Sequence, residues 1–191
     1  MNTLIFNGSP RKNGETVHMI GEMKKHLHGD IRIVHAYSKD LHPCVDCRYC
    51  WTESGCAQTD GMQEVYRNIE AADHIVIASP IYFSEITGQL LAVLSRLQTY
   101  YCAKAFRKDA PFEKEKIGAV LLNGGGDGSA ERATATARTL LHQMGVVTIL
   151  PEVLFHEANT SHATERAEIC RALQWTASQL EAWSQNREHN E

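Results

Sequence analysis

Long hydrophobic runs are absent from this chain of 191 residues. A membrane-spanning helix needs about 20 consecutive apolar residues, so the sequence predicts no membrane segment. The first residues, MNTLIF, lack the basic start and apolar core of a secretory signal, which favours a cytoplasmic protein. A large charge of one sign is missing too, since the formal net charge is −4. Nucleic-acid-binding proteins usually carry a strongly basic face, so we expect no nucleic-acid partner.

Proline is scarce, with five residues, and no repeat or low-complexity tract interrupts the chain. Hydrophobic residues make up 43% and charged residues 22%, which is ordinary for a folded domain. We therefore expect one domain over residues 1–191. Familiar motifs are also missing, because the chain has no P-loop, no GxGxxG fingerprint and no HExxH zinc motif.

Short apolar runs alternate with stretches of helical periodicity. The runs predict strands at residues 3–7, 31–36, 74–78, 117–122 and 146–154, the last as one strand or two short ones. The periodic stretches predict a helix around residues 17–27 and helices at residues 60–72, 88–105, 129–144 and 164–183. Asp60 and Gln63 have the spacing of a capping box. This alternation predicts a three-layer, doubly wound α/β domain with a five-stranded parallel sheet.

Three loops follow strand ends, where doubly wound sheets bind their ligands. Residues 7–16, NGSPRKNGET, open a helix and offer backbone N–H groups, two hydroxyls and an arginine, which favour a phosphate. Residues 79–84, SPIYFS, are apolar and aromatic, which suits a flat aromatic ligand. Residues 123–128, NGGGDG, leave the backbone open to close approach, with Asp127 beside it. The alternatives are a plain polar loop, a subunit contact and a hinge.

Cysteine is crowded into one segment of the chain. Four of the six cysteines fall within an irregular loop at about residues 38–60, namely Cys44, Cys47, Cys50 and Cys56. Structural disulfides are rare in the cytoplasm, so this spacing favours metal binding or redox chemistry. An iron–sulfur cluster, a zinc site and free redox-active thiols all stay open. Cys102 and Cys170 fall in predicted helices and read as ordinary buried residues.

These segments together resemble the flavodoxin-like NAD(P)H-dependent FMN reductases. The resemblance rests on GSPRKNGET, SPIYF and NGGG and covers about residues 2–155. The segment PCVDCRYCWTESGC, followed by TDGM, resembles the iron–sulfur flavoprotein branch of that family. The resemblance implies a flavodoxin-like sheet of strand order 2-1-3-4-5 and bound FMN. It also implies a homodimer or homotetramer with the flavin near subunit contacts.

The resemblance implies a position for each part of the cofactors. The FMN phosphate would lie against Ser9, Pro10, Arg11, Asn13, Gly14 and Thr16. The flavin ring would lie against Pro80, Ile81, Tyr82, Phe83, Asn123, Gly124 and Gly125. A four-iron (4Fe-4S) cluster would be held by Cys44, Cys47, Cys50 and Cys56. Glu15 stands where many relatives have asparagine and would contribute backbone only, and Ser95-Arg96 replaces a frequent Asp-Arg pair.

The implied activity is electron transfer from NAD(P)H through FMN to a small acceptor such as a quinone or a flavin. No catalytic side chain is expected, because the flavin carries the chemistry. One alternative is a flavoprotein that passes electrons between protein partners through FMN and an iron–sulfur cluster. Another is a redox or metal sensor in which the cysteine loop is the switch. An aromatic patch of Tyr82, Phe83, Tyr100 and Tyr101 would favour subunit contact.

Overall fold

A sheet of mostly parallel strands lies at the centre of the fold. The structure, a computed structural model, describes residues 1–126 and 128–188, so Asp127 lies outside the described residues. The strands in this part of the chain are β1 Asn2–Asn7, β2 Asp30–His35, β3 His74–Tyr82, β4 Glu85–Ile86, β5 Lys116–Asn123, β6 Val146–Ile149 and β7 Val153–Phe155. Its α-helices are α1 Glu15–Lys24, α2 Tyr49–Thr52, α3 Met62–Ala71, α4 Gly88–Leu94, α5 Gln98–Cys102, α6 Glu131–Gln143 and α7 Ala167–Glu188.

The strand order confirms the predicted topology. Parallel strands run in the order β2-β1-β3-β5-β6, which is the order 2-1-3-4-5 counted by the predicted strands. The last predicted strand is a pair of short ones, since β6 pairs with the start of β5 and β7 with its end. The short β4 adds an antiparallel partner to the end of β3.

Two apolar layers cover the two faces of the sheet. Successive side chains of a strand point to opposite faces, and here both faces are buried. Leu4 and Phe6 of β1 pack in one hydrophobic cluster with side chains of α3, α4 and α6. Ile5, between them, packs in the other cluster with side chains of α1 and α7. The domain therefore has the predicted three layers.

The helix predicted over residues 88–105 is broken into four pieces, which corrects the sequence prediction. α4 passes into a 3-10 turn at Ser95–Leu97, then α5, then a π-helical turn at Ala103–Arg107. The Ser95 hydroxyl donates to the Ala92 carbonyl at 2.6 Å, and such local bonds compete with regular helix bonding. The breaks lie where this segment packs against the cysteine loop.

Two smaller expectations are also corrected. Asp60 accepts a hydrogen bond from the Met62 N–H at 3.2 Å, but Gln63 turns to the carbonyls of Cys56 and Gln58 instead of completing a capping box. Tyr100 does not join an exposed patch, because it is only 5% exposed and packs on Tyr66 in the core. No helix in the described part of the chain is long and apolar enough to cross a lipid bilayer.

Candidate functional site

The first strand-end loop is folded so that its backbone faces a cleft. The Gly8 N–H donates to the Ala78 carbonyl at 2.8 Å, and the Thr87 hydroxyl donates to the Gly8 carbonyl at 2.8 Å. The Ser9 hydroxyl accepts from the Arg11 N–H at 3.2 Å, so the loop closes on itself. Gly14 precedes α1, whose first N–H groups have no carbonyl one turn earlier. The loop therefore presents unsatisfied donors and the positive end of a helix dipole.

The first and third loops are joined by one short buried hydrogen bond. The Thr16 hydroxyl donates to the Asn123 side-chain oxygen at 2.6 Å. A threonine has one hydroxyl hydrogen, so Thr16 positions Asn123 in this arrangement and leaves anion binding to the backbone and to Arg11. The sequence predicts that Thr16 contacts the phosphate. In the structure its hydroxyl instead links the first loop to the third.

The second loop forms one wall of the cleft at the end of β3. Pro80 is buried and Ile81 half-buried, and both line the cleft. Tyr82 lines it as well and is 44% exposed. Phe83 and Ser84 both have positive φ, 53° and 63°, and this sharp turn leads into β4. Phe83 points fully into solvent, outside the cleft lining.

The third loop supplies a backbone surface opposite that wall. The Gly124 N–H donates to the Phe155 carbonyl at 2.8 Å, and the Gly124 carbonyl accepts from the Ala158 N–H at 3.1 Å. The Asn159 amide donates to the Gly125 carbonyl at 3.2 Å. No sequence pattern indicates Ala158 and Asn159, which lie beyond the last strand yet line the cleft. They reach the cleft because the chain passes beside the third loop after β7.

Most of the predicted FMN residues converge on this one cleft. Those that line it are Ser9, Arg11, Gly14, Thr16, Pro80, Ile81, Tyr82, Asn123, Gly124 and Gly125. Those that the structure places outside its lining are Pro10, Asn13 and Phe83. All three of these are exposed, so a ligand in the cleft could reach them only at its rim.

Glu15 behaves differently from the sequence expectation of a purely backbone role. Its carboxylate is buried and accepts from the Ala163 N–H at 2.8 Å, while the His162 Nδ1 lies 2.7 Å away. Burial alone would raise the pKa of Glu15, but these hydrogen bonds and His18 outweigh it and lower that pKa. The negative charge is thus bound to the 162–163 segment, which explains how a carboxylate fits beside an anion-binding loop.

The four clustered cysteines line a single cavity. Cys44, Cys47, Cys50 and Cys56 all contribute to its wall, and none of them is in a disulfide. The backbone turns tightly here, with positive φ of 50° at Asp46 and 62° at Arg48. The Asp46 N–H donates to the Cys44 sulfur at 3.4 Å. The loop therefore places four cysteines around one cavity and a backbone donor on the Cys44 sulfur.

A fifth cysteine lines the same cavity. Cys102 of α5 is buried, as its sequence context suggested, but it is not an isolated core residue. Burial, together with a hydrogen bond to Cys102, raises the pKa of the Cys50 thiol to about 12. In the absence of a metal, Cys50 is therefore a protonated thiol and a weak nucleophile at neutral pH.

Arg96 anchors the cysteine loop from inside the protein. Its guanidinium donates to the His42 carbonyl at 3.2 Å, just before the first cysteine, and to the Gln58 carbonyl, just after the last. It also pairs with Asp60 at 2.8 Å. Arg96 is 2% exposed, lines the cysteine cavity, and its Nε has no hydrogen-bond partner among the described residues. An orphan buried donor beside thiols suits a negatively charged group.

Comparison with known proteins decides the family. The profile described as NADPH-dependent FMN reductase matches residues 1–160. The chain belongs to the NADPH-dependent FMN reductase family. The match agrees with the family that the resemblance of the three loops implied.

The names of curated relatives of this FMN reductase family member mention iron and sulfur as well as flavin. An iron-sulfur flavoprotein of Archaeoglobus fulgidus is 29% identical over 145 residues, which are 74% of this chain and 63% of that protein. The chain thus spans less than two thirds of that relative's length. An iron-sulfur flavoprotein of Methanosarcina thermophila is 29% identical over 148 residues, 75% of this chain and 74% of that protein.

Solved structures share the fold of this FMN reductase family member. The NAD(P)H:quinone oxidoreductase of Methanothermobacter marburgensis superimposes with a TM-score of 0.74 at 15% identity, covering 95% of this chain and 96% of that one. An apo NADH:FMN oxidoreductase has a TM-score of 0.63 at 18% identity, covering 94% of this chain and 87% of that one. At such identities the likeness establishes the flavodoxin-like fold.

The residues of the cleft fit FMN. A helix start and Arg11 at one end suit a phosphate, and the apolar side chains of Pro80 and Ile81 suit a flat ring system. A Cβ atom at Gly125 would come within 2.1 Å of the Asn159 amide, so a side chain there would have to displace the exposed Asn159 side chain. The acidic side chain in the loop, Glu15, is turned toward His162.

Proposed function

We propose that this chain uses FMN to move electrons from NAD(P)H to a small-molecule acceptor such as a quinone or a flavin. The observation that carries the proposal is the convergence of three strand-end loops on one cleft, polar at the Arg11 end and apolar at the Pro80 end. Doubly wound sheets bind ligands at this edge. The family match over residues 1–160 supports the same chemistry.

Each group of residues would have a distinct part in this activity. FMN, when bound, supplies the hydride and electron chemistry. The backbone of residues 11–16 and the Arg11 guanidinium would hold the phosphate, while Thr16 keeps Asn123 in place. Pro80 and Ile81 would exclude water from one side of the ring, and Tyr82 would border the open side, where a nicotinamide or an acceptor must enter.

Anaerobic mixing with reduced nicotinamide tests the proposal. Rapid bleaching of the flavin absorbance by NADPH or NADH, followed by reoxidation on addition of a quinone, is the expected result. Flavin that is reduced by dithionite yet stays oxidised through minutes of exposure to both nucleotides would contradict the proposal. That outcome would favour a carrier that exchanges electrons with protein partners.

A second cofactor is proposed for the cysteine cavity. Five cysteines line it, four of them on the loop, and the buried Arg96, whose charge is paired with Asp60, keeps an Nε donor that has no hydrogen-bond partner among the described residues. This donor set suits an anionic 4Fe-4S cluster held by Cys44, Cys47, Cys50 and Cys56. The names of the curated relatives support the same assignment. The protein would then be an FMN and iron–sulfur electron-transfer flavoprotein.

Metal analysis of anaerobically purified protein tests this second cofactor. We expect about four iron and four sulfide per chain, as a 4Fe-4S cluster requires. Zinc in place of iron would overturn the assignment. If iron is present but Cys47→Ser leaves NAD(P)H oxidation and acceptor reduction unchanged, the loop serves as a sensor instead of an electron path.

Self-association is proposed from the exposed aromatic side chains. Trp51 stacks on Phe106 at 4.6 Å and Tyr101 meets Phe106 edge-on, and each of the three is at least 40% exposed. Such a surface cluster is typical of interaction sites. We propose a homodimer or homotetramer, and sedimentation of the FMN-bound protein as a monomer would refute this.

A further inference from the structure

Three metal-ligating side chains converge beside the first loop, away from the cysteines. The Glu15 Oε1 lies 2.7 Å from the His162 Nδ1 and 3.3 Å from the His18 Nδ1. The three ligand atoms all lie within 4.8 Å of one another. The two imidazole rings meet edge-on with centroids 5.8 Å apart. Neither the family membership nor the flavin cleft requires this arrangement.

The fold brings these residues together from opposite ends of the chain. Glu15 begins α1, and His18 lies one turn later on the same face of that helix. His162 precedes the 3-10 turn Ala163–Glu165, which packs against α1. The Ala163 N–H donates to the Glu15 Oε2 at 2.8 Å. This bond fixes the carboxylate and leaves its Oε1 facing the two imidazoles, in the way that neighbouring hydrogen-bond donors orient the ligands of metal sites.

The Glu15 carboxylate is buried, whereas the two imidazoles are accessible to solvent. The Glu15 side chain is 8% exposed, whereas His18 and His162 are 37% and 59% exposed. An ion can therefore enter through the imidazole side without unfolding the segment.

We propose that Glu15, His18 and His162 bind a divalent transition-metal ion. Two imidazoles and one carboxylate form a ligand set typical of Zn²⁺ and related ions, with a further position left for water. With metal–ligand bonds of about 2.0–2.1 Å, tetrahedral ligand atoms are about 3.3–3.4 Å apart. The His18 separation of 3.3 Å matches this value, and the exposed His162 ring, now at 2.7 Å, would have to withdraw by about 0.6–0.7 Å.

The bound ion would clamp the start of α1 to the segment around Ala163. Residues 14–16, Glu15 among them, line the flavin cleft, so the clamp would hold the anion-binding loop closed at its base. An ion that binds only the folded state stabilises that state by mass action. The site has no part in the redox steps, so this inference stands whether or not the proposed reductase activity is confirmed.

Calorimetric titration with Ni²⁺ tests the site in the full chain with its native cofactors. Imidazole suits Ni²⁺, whereas thiolates favour zinc and iron–sulfur clusters, so Ni²⁺ reports on the histidines. We expect one Ni²⁺ per chain, bound at least tenfold more weakly by His18→Ala and by His162→Ala. The matched control is His156→Ala, an exposed histidine outside the site, and it should bind as the native protein does.

The other outcomes overturn the inference. Absence of Ni²⁺ binding to the native protein would show that only a proton bridges Glu15 and His162. Binding that survives both histidine substitutions but disappears in Cys47→Ser would assign the ion to the cysteine cavity.

A second readout is thermal unfolding, in which Ni²⁺ should raise the Tm of the native protein and of His156→Ala but not that of His162→Ala.

Discussion

The Arg96 guanidinium donates to both carboxylate oxygens of Asp60, at 2.8 and 3.2 Å, inside the protein. The pair joins the segment after the cysteine loop to the broken helix 36 residues away along the chain. Because Arg96 also holds the carbonyls of His42 and Gln58, one buried side chain fixes both ends of the loop. The geometry of the cysteine cavity therefore depends on this ion pair.

Arg96→Ala is expected to lower the free energy of unfolding by about 3–5 kcal/mol, the usual cost of leaving one partner of a buried ion pair alone. Urea unfolding followed by circular dichroism measures this. The matched control is Arg32→Ala, because Arg32 pairs with Asp30 on the surface with both side chains more than half exposed. That change should cost at most about 1 kcal/mol. Equal losses in both variants would contradict the structural role of Arg96.

Acid should weaken the fold through Asp60. Burial alone would raise the pKa of Asp60, but the hydrogen bonds from Arg96 outweigh it and lower that pKa. The stabilisation is therefore present above the unfolded-state pKa of about 3.9 and is lost as the pH falls through the lowered folded-state value. Unfolding free energies measured below about pH 5 should fall less steeply in Asp60→Asn than in the native protein. Equal slopes of unfolding free energy against pH in the two proteins would contradict the ion pair of Asp60 with Arg96.

Gly8→Ala should damage the first loop. An added Cβ would stand 2.8 Å from a Leu90 methyl, 2.9 Å from the Ser79 hydroxyl and 3.0 Å from the Thr87 hydroxyl. Such overpacking costs about 1–3 kcal/mol, and FMN binding should weaken because the loop moves.

Gly21→Ala is the control for this change. Gly21 lies inside α1 with no atom within 4 Å of an added Cβ, so alanine should stabilise the helix by about 0.5–1 kcal/mol. Thermal unfolding and titration with FMN compare the stability and the flavin affinity of the two variants. A Gly8 variant as stable as the Gly21 variant would show that the loop accommodates the methyl group.

Cys47→Ser should lower the iron and sulfide content of the purified protein, because Cys47 is the most exposed of the four clustered cysteines and one of the proposed ligands. Cys170→Ser is the control, since Cys170 lies on α7 outside the cavity, and it should keep the native content. Metal analysis and visible absorption measure both. Equal iron in the two variants would remove Cys47 from the ligand set.

Much of the fold follows from local sequence pattern. Apolar runs such as HIVIA become strands because both faces of a central parallel strand are buried, and the strand order follows from short right-handed crossovers. The continuous helix predicted over residues 88–105 was wrong because contacts with the cysteine loop override local periodicity. Ser95 accepts from the Cys44 N–H and Thr99 donates to the Gly55 carbonyl.

The site residues that the sequence missed depend on partners distant along the chain. The sequence marks Arg96 only as part of a Ser95-Arg96 pair that replaces a frequent Asp-Arg pair, and it marks Asp60 only as a helix cap, so their pairing is not visible in it. Glu15 meets His162 across 147 residues, and Asn159 meets Gly125 across 34. Periodicity and loop composition carry no signal for such pairs, whereas the loop motifs at strand ends could be found because each is a short continuous segment.

Titration of the apoprotein with FMN, followed by quenching of flavin fluorescence, tests whether the cleft binds FMN through its phosphate. We expect one FMN per chain, with riboflavin, which lacks the phosphate, bound at least tenfold more weakly because the helix start and Arg11 have no anion to bind. Arg11→Ala should reduce this preference for FMN, since Arg11 lines the cleft. Failure to bind FMN, or equal affinity for FMN and riboflavin, would show that the cleft is not an FMN site of this kind.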